Sequence, residues 1–144
     1  MATLHIYLNF PGTCGDAFNF YKSVFGGEFG YIGRFGEVPP MEGQPPVPDE
    51  HKNKVMHVSM DVNNMRLLGS DVIEGFGPPT IFGNNFAVSI DAKSKDEADQ
   101  LFQALSAGGQ ITMPIQDTFW NAYFGMFTDK FGINWMVNFD HPVA

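Results

Sequence analysis

The chain has little cysteine, little positive charge and no long apolar run, and each shortage excludes a class of protein. Its 144 residues include one cysteine, Cys14, which leaves no partner for an internal disulfide and no thiolate set for a metal cluster. Eight basic residues against sixteen acidic ones give a net charge of −8, whereas nucleic acids and anionic membranes attract clustered basic residues. No stretch approaches the roughly 18 apolar residues of a membrane span, and the amino-terminal segment lacks a signal-peptide pattern. We therefore expect a cytoplasmic protein without nucleic-acid or membrane partners.

Aromatic residues, by contrast, are abundant. The sequence contains 15 Phe, 4 Tyr and 2 Trp, and 44% of its residues are apolar while 17% are charged. This composition is typical of one folded domain spanning residues 1–144 with a real core. The number of rings exceeds what such a core needs, and surplus rings commonly line apolar pockets or subunit contacts.

Two segments predict the same kind of helix. Thr13–Asp16 and Ser94–Glu97 fit the S/T-x-x-D/E capping box and lie 81 residues apart. A glycine pair that can end a helix follows each segment. Each segment also carries an apolar stripe at helical spacing, which consists of Ala17, Phe20, Tyr21 and Val24 in the first and Ala98, Leu101, Phe102 and Leu105 in the second. The capping box, the apolar stripe and the glycine pair agree between the two segments. This agreement indicates a duplicated unit.

Predicted strands surround both helices in the same order. A strand precedes each helix (residues 4–10 and 86–90), another follows it (28–35 and 110–116), and a hairpin completes each half (55–61 with 65–70, and 121–128 with 133–139). Each half therefore predicts a βαβββ module, the first over about 3–72 and the second over about 85–140. The proline-containing segments 36–53 and 72–84 are either loops that reach over a site or semi-rigid connectors.

Strand alternation separates an apolar face from a mixed polar face in these modules. His5 and Tyr7 oppose the apolar residues of the first strand, and His57, Asn85 and Met136 take the mixed face of later strands. A solvated sheet face gives the same pattern, although it would carry mostly Lys, Glu and Thr. We therefore predict that these five residues line a semi-polar cavity.

Several stretches resemble one known group of proteins. They are YLNF at 7–10, AFNFYKSVFGG at 17–27, LLGSD at 67–71 and, most specifically, MPIQDTFWNAYFGMFTDKFGINWMVN at 113–138. They resemble the vicinal-oxygen-chelate superfamily, which includes glyoxalase I, extradiol dioxygenases, fosfomycin-modifying enzymes and bleomycin-binding resistance proteins. The PhnB-like group, often labelled demethylubiquinone methyltransferase, is the most similar. The resemblance implies an α+β fold in which two tandem βαβββ modules form a curved, cupped mixed sheet with outer helices, and it implies a homodimer.

The resemblance also implies where a divalent metal would bind in the enzymes of the superfamily. The four ligand positions fall on His5, on Leu67 or Leu68, on Asn85 and on Met136. Only His5 is a competent ligand for the hard or borderline metals used in such sites. We therefore expect no complete metal site, with His5 as a weak candidate ligand, and leave a divalent metal open as a cofactor. Methyl transfer has no support, because the glycine pairs follow helices rather than open a doubly wound nucleotide site.

Two interpretations remain open for Trp120, Tyr123 and Cys14. Trp120 and Tyr123 are either core residues or a ligand platform of rings with polar tips. The helix start beside Cys14 would lower the pKa of its thiol, but a small unreactive residue in a cap loop is the simpler reading. We expect His51 and His141 to be solvated.

Two functions follow from these residues. The first is binding of a small apolar or aromatic molecule by His5, Tyr7, His57, Asn85, Trp120, Tyr123 and Met136. The alternative is a metal-dependent lyase- or dioxygenase-like enzyme with an unorthodox metal site around His5 and His57, where histidine would also supply acid–base chemistry.

Overall fold

The computed structural model describes residues 1–39 and 42–143 and contains two compact units, Met1–Ile81 and Phe82–Ala144. Residues 40 and 41, which belong to the predicted long segment 36–53, lie outside the described residues, as does residue 144. No helix of the described residues combines the length and the apolar character that spanning a membrane requires.

The first unit is a four-stranded mixed sheet with one long helix. Its elements are β1 (Ile6–Phe10), α1 (Cys14–Phe25), β2 (Phe29–Arg34), β3 (Val55–Val62) and β4 (Met65–Asp71), with two short 3₁₀ turns at Phe35–Glu37 and Asp49–His51. The strand order is β1-β4-β3-β2. The β1–β4 pair is parallel, and the other two pairs are antiparallel.

The second unit repeats this arrangement. Its elements are β5 (Val88–Asp91), α2 (Lys95–Ser106), β6 (Gln110–Asp117), β7 (Ala122–Thr128) and β8 (Asn134–Asp140), in the strand order β5-β8-β7-β6. Again the first and last strands pair in parallel and the others are antiparallel. The predicted duplication of a βαβββ module and the α+β class are confirmed. The first strand of each unit is shorter than predicted, because Leu4 and Phe86 lie before it and are 85% and 61% exposed.

The apolar stripe of α1 differs from the predicted one. Its fully buried residues include Phe18, which the predicted stripe omits, whereas Phe20 and Val24 are only half-buried. Phe18 is buried because β4 carries a glycine beneath it, and a Cβ built at Gly69 would lie 2.5 Å from the Phe18 ring. Phe18 thus joins Ala17 and Tyr21 on the buried face of α1.

The capping box predicted for α1 is wrong. The side chain of Thr13 accepts no cap hydrogen bond. Instead the buried carboxylate of Asp71, at the end of β4, accepts hydrogen bonds from the Cys14 N–H (2.8 Å) and the Val55 N–H (2.9 Å). A carboxylate at a helix start satisfies an unpaired amide and opposes the positive end of the helix dipole. One side chain therefore fixes α1, β3 and β4 to one another.

The cap predicted for α2 is confirmed. The Ser94 hydroxyl accepts a hydrogen bond from the Glu97 N–H at 3.0 Å. The Glu97 carboxylate reaches back to the Lys93 N–H at 3.1 Å, one residue earlier than the usual reciprocal bond. The two helices therefore begin at equivalent places through different side chains.

The predicted separation of strand faces is confirmed in both sheets. Leu8 and Phe10 of β1 and Trp135 and Val137 of β8 are buried on the helix side of their sheets. The intervening side chains of β1 are exposed, and those of β8 are half-buried. Each unit thus has an apolar face covered by its helix and an opposite face, called here the open face.

Candidate functional site

The open face of the first sheet carries a row of four paired residues from four strands. In register, Tyr31 of β2 pairs with Ser59 of β3, Ser59 with Leu68 of β4, and Leu68 with Tyr7 of β1. Side chains of directly paired residues stand on the same face of a sheet. Two tyrosines therefore flank a hydroxyl and an aliphatic side chain across the whole width of the sheet.

His57 lies between the two tyrosines of this row. Its Nδ1 is 3.2 Å from the hydroxyl oxygen of Tyr7, and the two rings stack at 5.6 Å between centroids with an angle of 28°. The Tyr31 ring lies 6.0 Å from the same imidazole at 36°. Tyr7 and Tyr31 are 47% and 52% exposed, so the cluster is accessible. Tyr7, Tyr31 and His57 are called the ring cluster below.

Polar groups lie on both sides of the ring cluster along the strands. Towards the end of β1, the Ser70 hydroxyl donates to the side-chain oxygen of Asn9 at 3.3 Å. Towards its start, Arg66 donates to the Asp61 carboxylate at 3.1 Å in an exposed ion pair. The open face therefore offers rings at its centre and hydrogen-bonding groups at its ends.

His5 is held in a state that does not suit a metal ligand. It is exposed, precedes β1, and its Nδ1 accepts a hydrogen bond from the Arg66 N–H at 3.2 Å. A neutral imidazole that accepts at Nδ1 carries its proton on Nε2, so neither nitrogen has a lone pair available for a cation.

The other positions implied for a metal fit no better. Leu68, rather than Leu67, stands on the open face, and it carries no donor atom. Met136 offers only a thioether, which suits soft rather than hard or borderline cations. Among residues 1–39 and 42–143, no group of three or more His, Cys, Asp and Glu side chains is placed to hold a metal ion. These residues do not fit the divalent centre that the resemblance implies.

A row of apolar side chains crosses the open face of the second sheet. Met113 of β6 pairs with Met126 of β7, and Met126 pairs with Met136 of β8. Next to this row, Phe124 of β7 contacts the ring of Trp120 at 5.9 Å between centroids. Trp120 is 50% exposed. Of the predicted ligand contacts in this unit, Met136 and Trp120 thus belong to the open face, while Asn85 is exposed just before β5.

Tyr123 lies on the helix side of the second sheet. Its hydroxyl donates to the Asp99 carboxylate of α2 at 2.5 Å, and the Lys95 ammonium lies 4.8 Å from its ring centroid. The hydrogen bond to Asp99, together with burial and negative charge, raises the pKa of Tyr123 to about 12. The side chain therefore ties α2 to β7 and is separated from Met136 by the thickness of the sheet.

Three further side chains are partly or fully buried beside carboxylates, namely those of Cys14, His51 and His141. Cys14 is fully buried, and burial and the nearby Asp71 carboxylate raise the pKa of its thiol, so the unreactive reading is supported. The expectation that His51 and His141 are solvated is wrong. Their side chains are 18% and 27% exposed, and each lies beside a carboxylate.

Two four-stranded mixed sheets, each built in the order βαβββ, define a glyoxalase-like α+β protein. A family model described as 3-demethylubiquinone-9 3-methyltransferase matches residues 2–138. The chain belongs to this family.

Known relatives agree with this assignment. Protein YjdN of Escherichia coli is 34% identical over 139 residues, which cover 92% of this chain and 91% of YjdN. The crystal structure of protein PA1353 from Pseudomonas aeruginosa is 37% identical, with a TM-score of 0.85 and coverage of 99% and 100% of the two chains. A glyoxalase/bleomycin resistance protein/dioxygenase family enzyme from Burkholderia phytofirmans shares the fold, with 17% identity, a TM-score of 0.58 and coverage of 94% and 97%.

Sequence reasoning missed Tyr31 and two of the three methionines. The alternation within β2 places Tyr31 on either face until a partner strand is known, and the bulge between Phe29 and Tyr31 disturbs that alternation further. Met113 and Met126 become neighbours of Met136 only through the register of the sheet. The proposed contacts of the seven predicted site residues with a ligand stay predictions.

Proposed function

We propose that this protein binds a small apolar or aromatic molecule, and that the ring cluster on the open face of the first sheet is a primary contact surface. The observation that carries the proposal is the placement of Tyr7 and Tyr31 on the two sides of His57, half-exposed and within ring-contact distance. Large rings with polar tips are a common means of holding a planar ligand.

The cluster supplies stacking surface first. A buried ring would satisfy its contacts within the core, but these two tyrosines leave about half of their surface uncovered. Pairs of aromatic rings contribute about 0.5–1.5 kcal/mol beyond the burial of apolar area. A flat, uncharged ligand that covers the cluster is therefore stabilised both by ring contacts and by burial of apolar area.

The cluster also supplies directional hydrogen bonds. The Tyr7 hydroxyl and the His57 imidazole share a hydrogen bond, and each retains further donor or acceptor capacity. A ligand hydroxyl or carbonyl can join this pair, which fixes its orientation. The net charge of −8 disfavours approach of anionic ligands.

An enzymatic role through a divalent metal has less support. His5 is bonded at Nδ1 to the Arg66 amide, and Leu68 and Met136 provide no hard donor. Methyl transfer is also not proposed, because the first amide of α1 is already bonded to Asp71 and the two glycine pairs lie after helices. Asn85, Trp120 and Met136 remain proposed ligand contacts, whereas the Tyr123 hydroxyl is bonded to Asp99 on the helix side and is not part of the proposed contact surface.

A fluorescence titration with naphthol and with naphthalene tests the proposal. Both probes stack, but only naphthol makes a hydrogen bond. Tyr31→Ala should weaken binding of both probes about threefold to tenfold through lost stacking. Tyr7→Phe should leave the affinity for naphthalene unchanged. It should weaken the affinity for naphthol about fivefold, which corresponds to one hydrogen bond.

The matched control is Tyr123→Phe. This change also removes one tyrosine hydroxyl, but from the helix side of the other sheet. Its affinity for both probes should equal that of the unmodified protein. Equal losses in Tyr7→Phe and Tyr123→Phe would show that the effect is general destabilisation. Separately, a stoichiometric zinc, nickel or iron in protein purified without chelator, lost in His5→Ala, would favour the metal-dependent enzyme.

We also expect a cytoplasmic homodimer, as the superfamily resemblance implies. Sedimentation equilibrium measures this directly. A single species at the chain mass of 16.0 kDa across the working concentrations would contradict the dimer.

A further inference from the structure

Three methionines stand side by side on the open face of the second sheet. Met113, Met126 and Met136 are Cα partners across β6, β7 and β8. Register shifts lie on both sides of Met113, and the Met113–Met126 pair is one of the aligned pairs between β6 and β7. The row uses three of the eight methionines in the chain.

The three side chains are intermediate in burial. Their neighbours Phe127, Trp135 and Val137 are buried on the helix side, which places the methionines on the opposite face. They are neither covered like core residues nor fully exposed. Part of each methionine residue is therefore accessible to solvent.

Strand spacing suits coordination by neighbouring thioethers. Adjacent strands lie about 4.8 Å apart. A metal–sulfur bond of about 2.3 Å allows two sulfur atoms on one ion to lie up to about 4.6 Å apart. Methionine has three rotatable bonds, so the outer two side chains can lean towards the central Met126.

We propose that Met113, Met126 and Met136 form a binding site for a soft monovalent cation, Cu(I) or Ag(I). Thioether sulfur is a neutral, soft donor that selects Cu(I) over the divalent cations preferred by oxygen and nitrogen ligands. Each sulfur donates a lone pair, no bond breaks and no proton is released. This proposal does not depend on ligand binding by the first sheet.

The simpler reading is an apolar surface in which methionine serves only for its shape. Leucine separates the two readings, because a Met-to-Leu change keeps the apolar volume at a cost usually below about 1.5 kcal/mol. It removes the sulfur. An apolar surface would survive this change, and a thioether site would not.

The test is a silver nitrate titration in chloride-free buffer, followed by NMR of ¹³C-labelled methionine methyl groups in a Cys14→Ala background. That background removes the only thiol. We expect three of the eight methyl signals to shift together and saturate at one equivalent. Shifts of a different set, or of none, would overturn the proposal.

Met126→Leu tests the central donor. It should weaken Cu(I) affinity about tenfold or more in an anaerobic competition against bicinchoninate, since even outer-shell changes at metal sites cost about 10–100-fold. Met65→Leu is the control, because Met65 lies in the first unit and is 39% exposed. Equal affinities of the two variants, each with an intact fold by circular dichroism, would contradict the site.

Discussion

Replacing Asp71 by alanine removes the carboxylate that joins three elements of the first unit. The side chain is 5% exposed and accepts two backbone hydrogen bonds, from Cys14 at 2.8 Å and Val55 at 2.9 Å. Both amides would then be buried without an acceptor, at a cost of about 1–3 kcal/mol each. We therefore expect Asp71→Ala to lower the free energy of unfolding by about 3–5 kcal/mol, a large part of the stability of a typical domain.

Urea unfolding at pH 7, followed by far-ultraviolet circular dichroism, measures this loss. Circular dichroism is preferred to fluorescence because both tryptophans, Trp120 and Trp135, lie in the second unit. Asp61→Ala is the control, since the exposed Asp61–Arg66 pair should contribute no more than about 1 kcal/mol. A loss below 1 kcal/mol in Asp71→Ala, with an unchanged denaturant slope, would refute this account of the helix start.

Three further predictions concern single contacts. Gly69→Ala should destabilise the protein by about 1–3 kcal/mol in urea unfolding, because its Cβ would meet the Phe18 ring, whereas Gly77→Ala has open space and should be near neutral. Cys14 should react with a thiol reagent only as fast as the protein unfolds, so labelling at the rate of a free thiol would contradict its burial. The pKa of Tyr123 is raised from 10.0 to about 12, so the free energy of unfolding should fall as the pH rises through this range. An equal fall in Tyr123→Phe would exclude ionisation of Tyr123 as the cause.

Alternation along single strands was enough to predict which residues face the helices. In β1, Leu8 and Phe10 are buried while Tyr7 and Asn9 are exposed, as the period of two requires. The Ser94 cap of α2 was equally predictable, because its partners lie within four residues. Local patterns thus specified the helices and strands and the alternation within the strands, but not the buried face of α1.

Local sequence patterns did not predict contacts between residues that are far apart in the chain. The partner of the Cys14 amide is 57 residues away in Asp71, so the local Thr13 box gave a wrong cap. The burial of Phe18 depends on Gly69 of another strand. The neighbours of His57 likewise depend on strand pairing. Register depends on turn geometry and on packing between strands, so the alternation within one strand does not give it.

The most direct measurement of the proposed function is a set of nuclear Overhauser contacts between bound naphthol and the protein. We predict contacts from naphthol ring protons to the aromatic protons of Tyr7, Tyr31 and His57 at saturating probe, with loss of the Tyr31 contacts in Tyr31→Ala. Contacts confined to other rings, with none to these three, would contradict the assignment of the ring cluster as the ligand-binding surface.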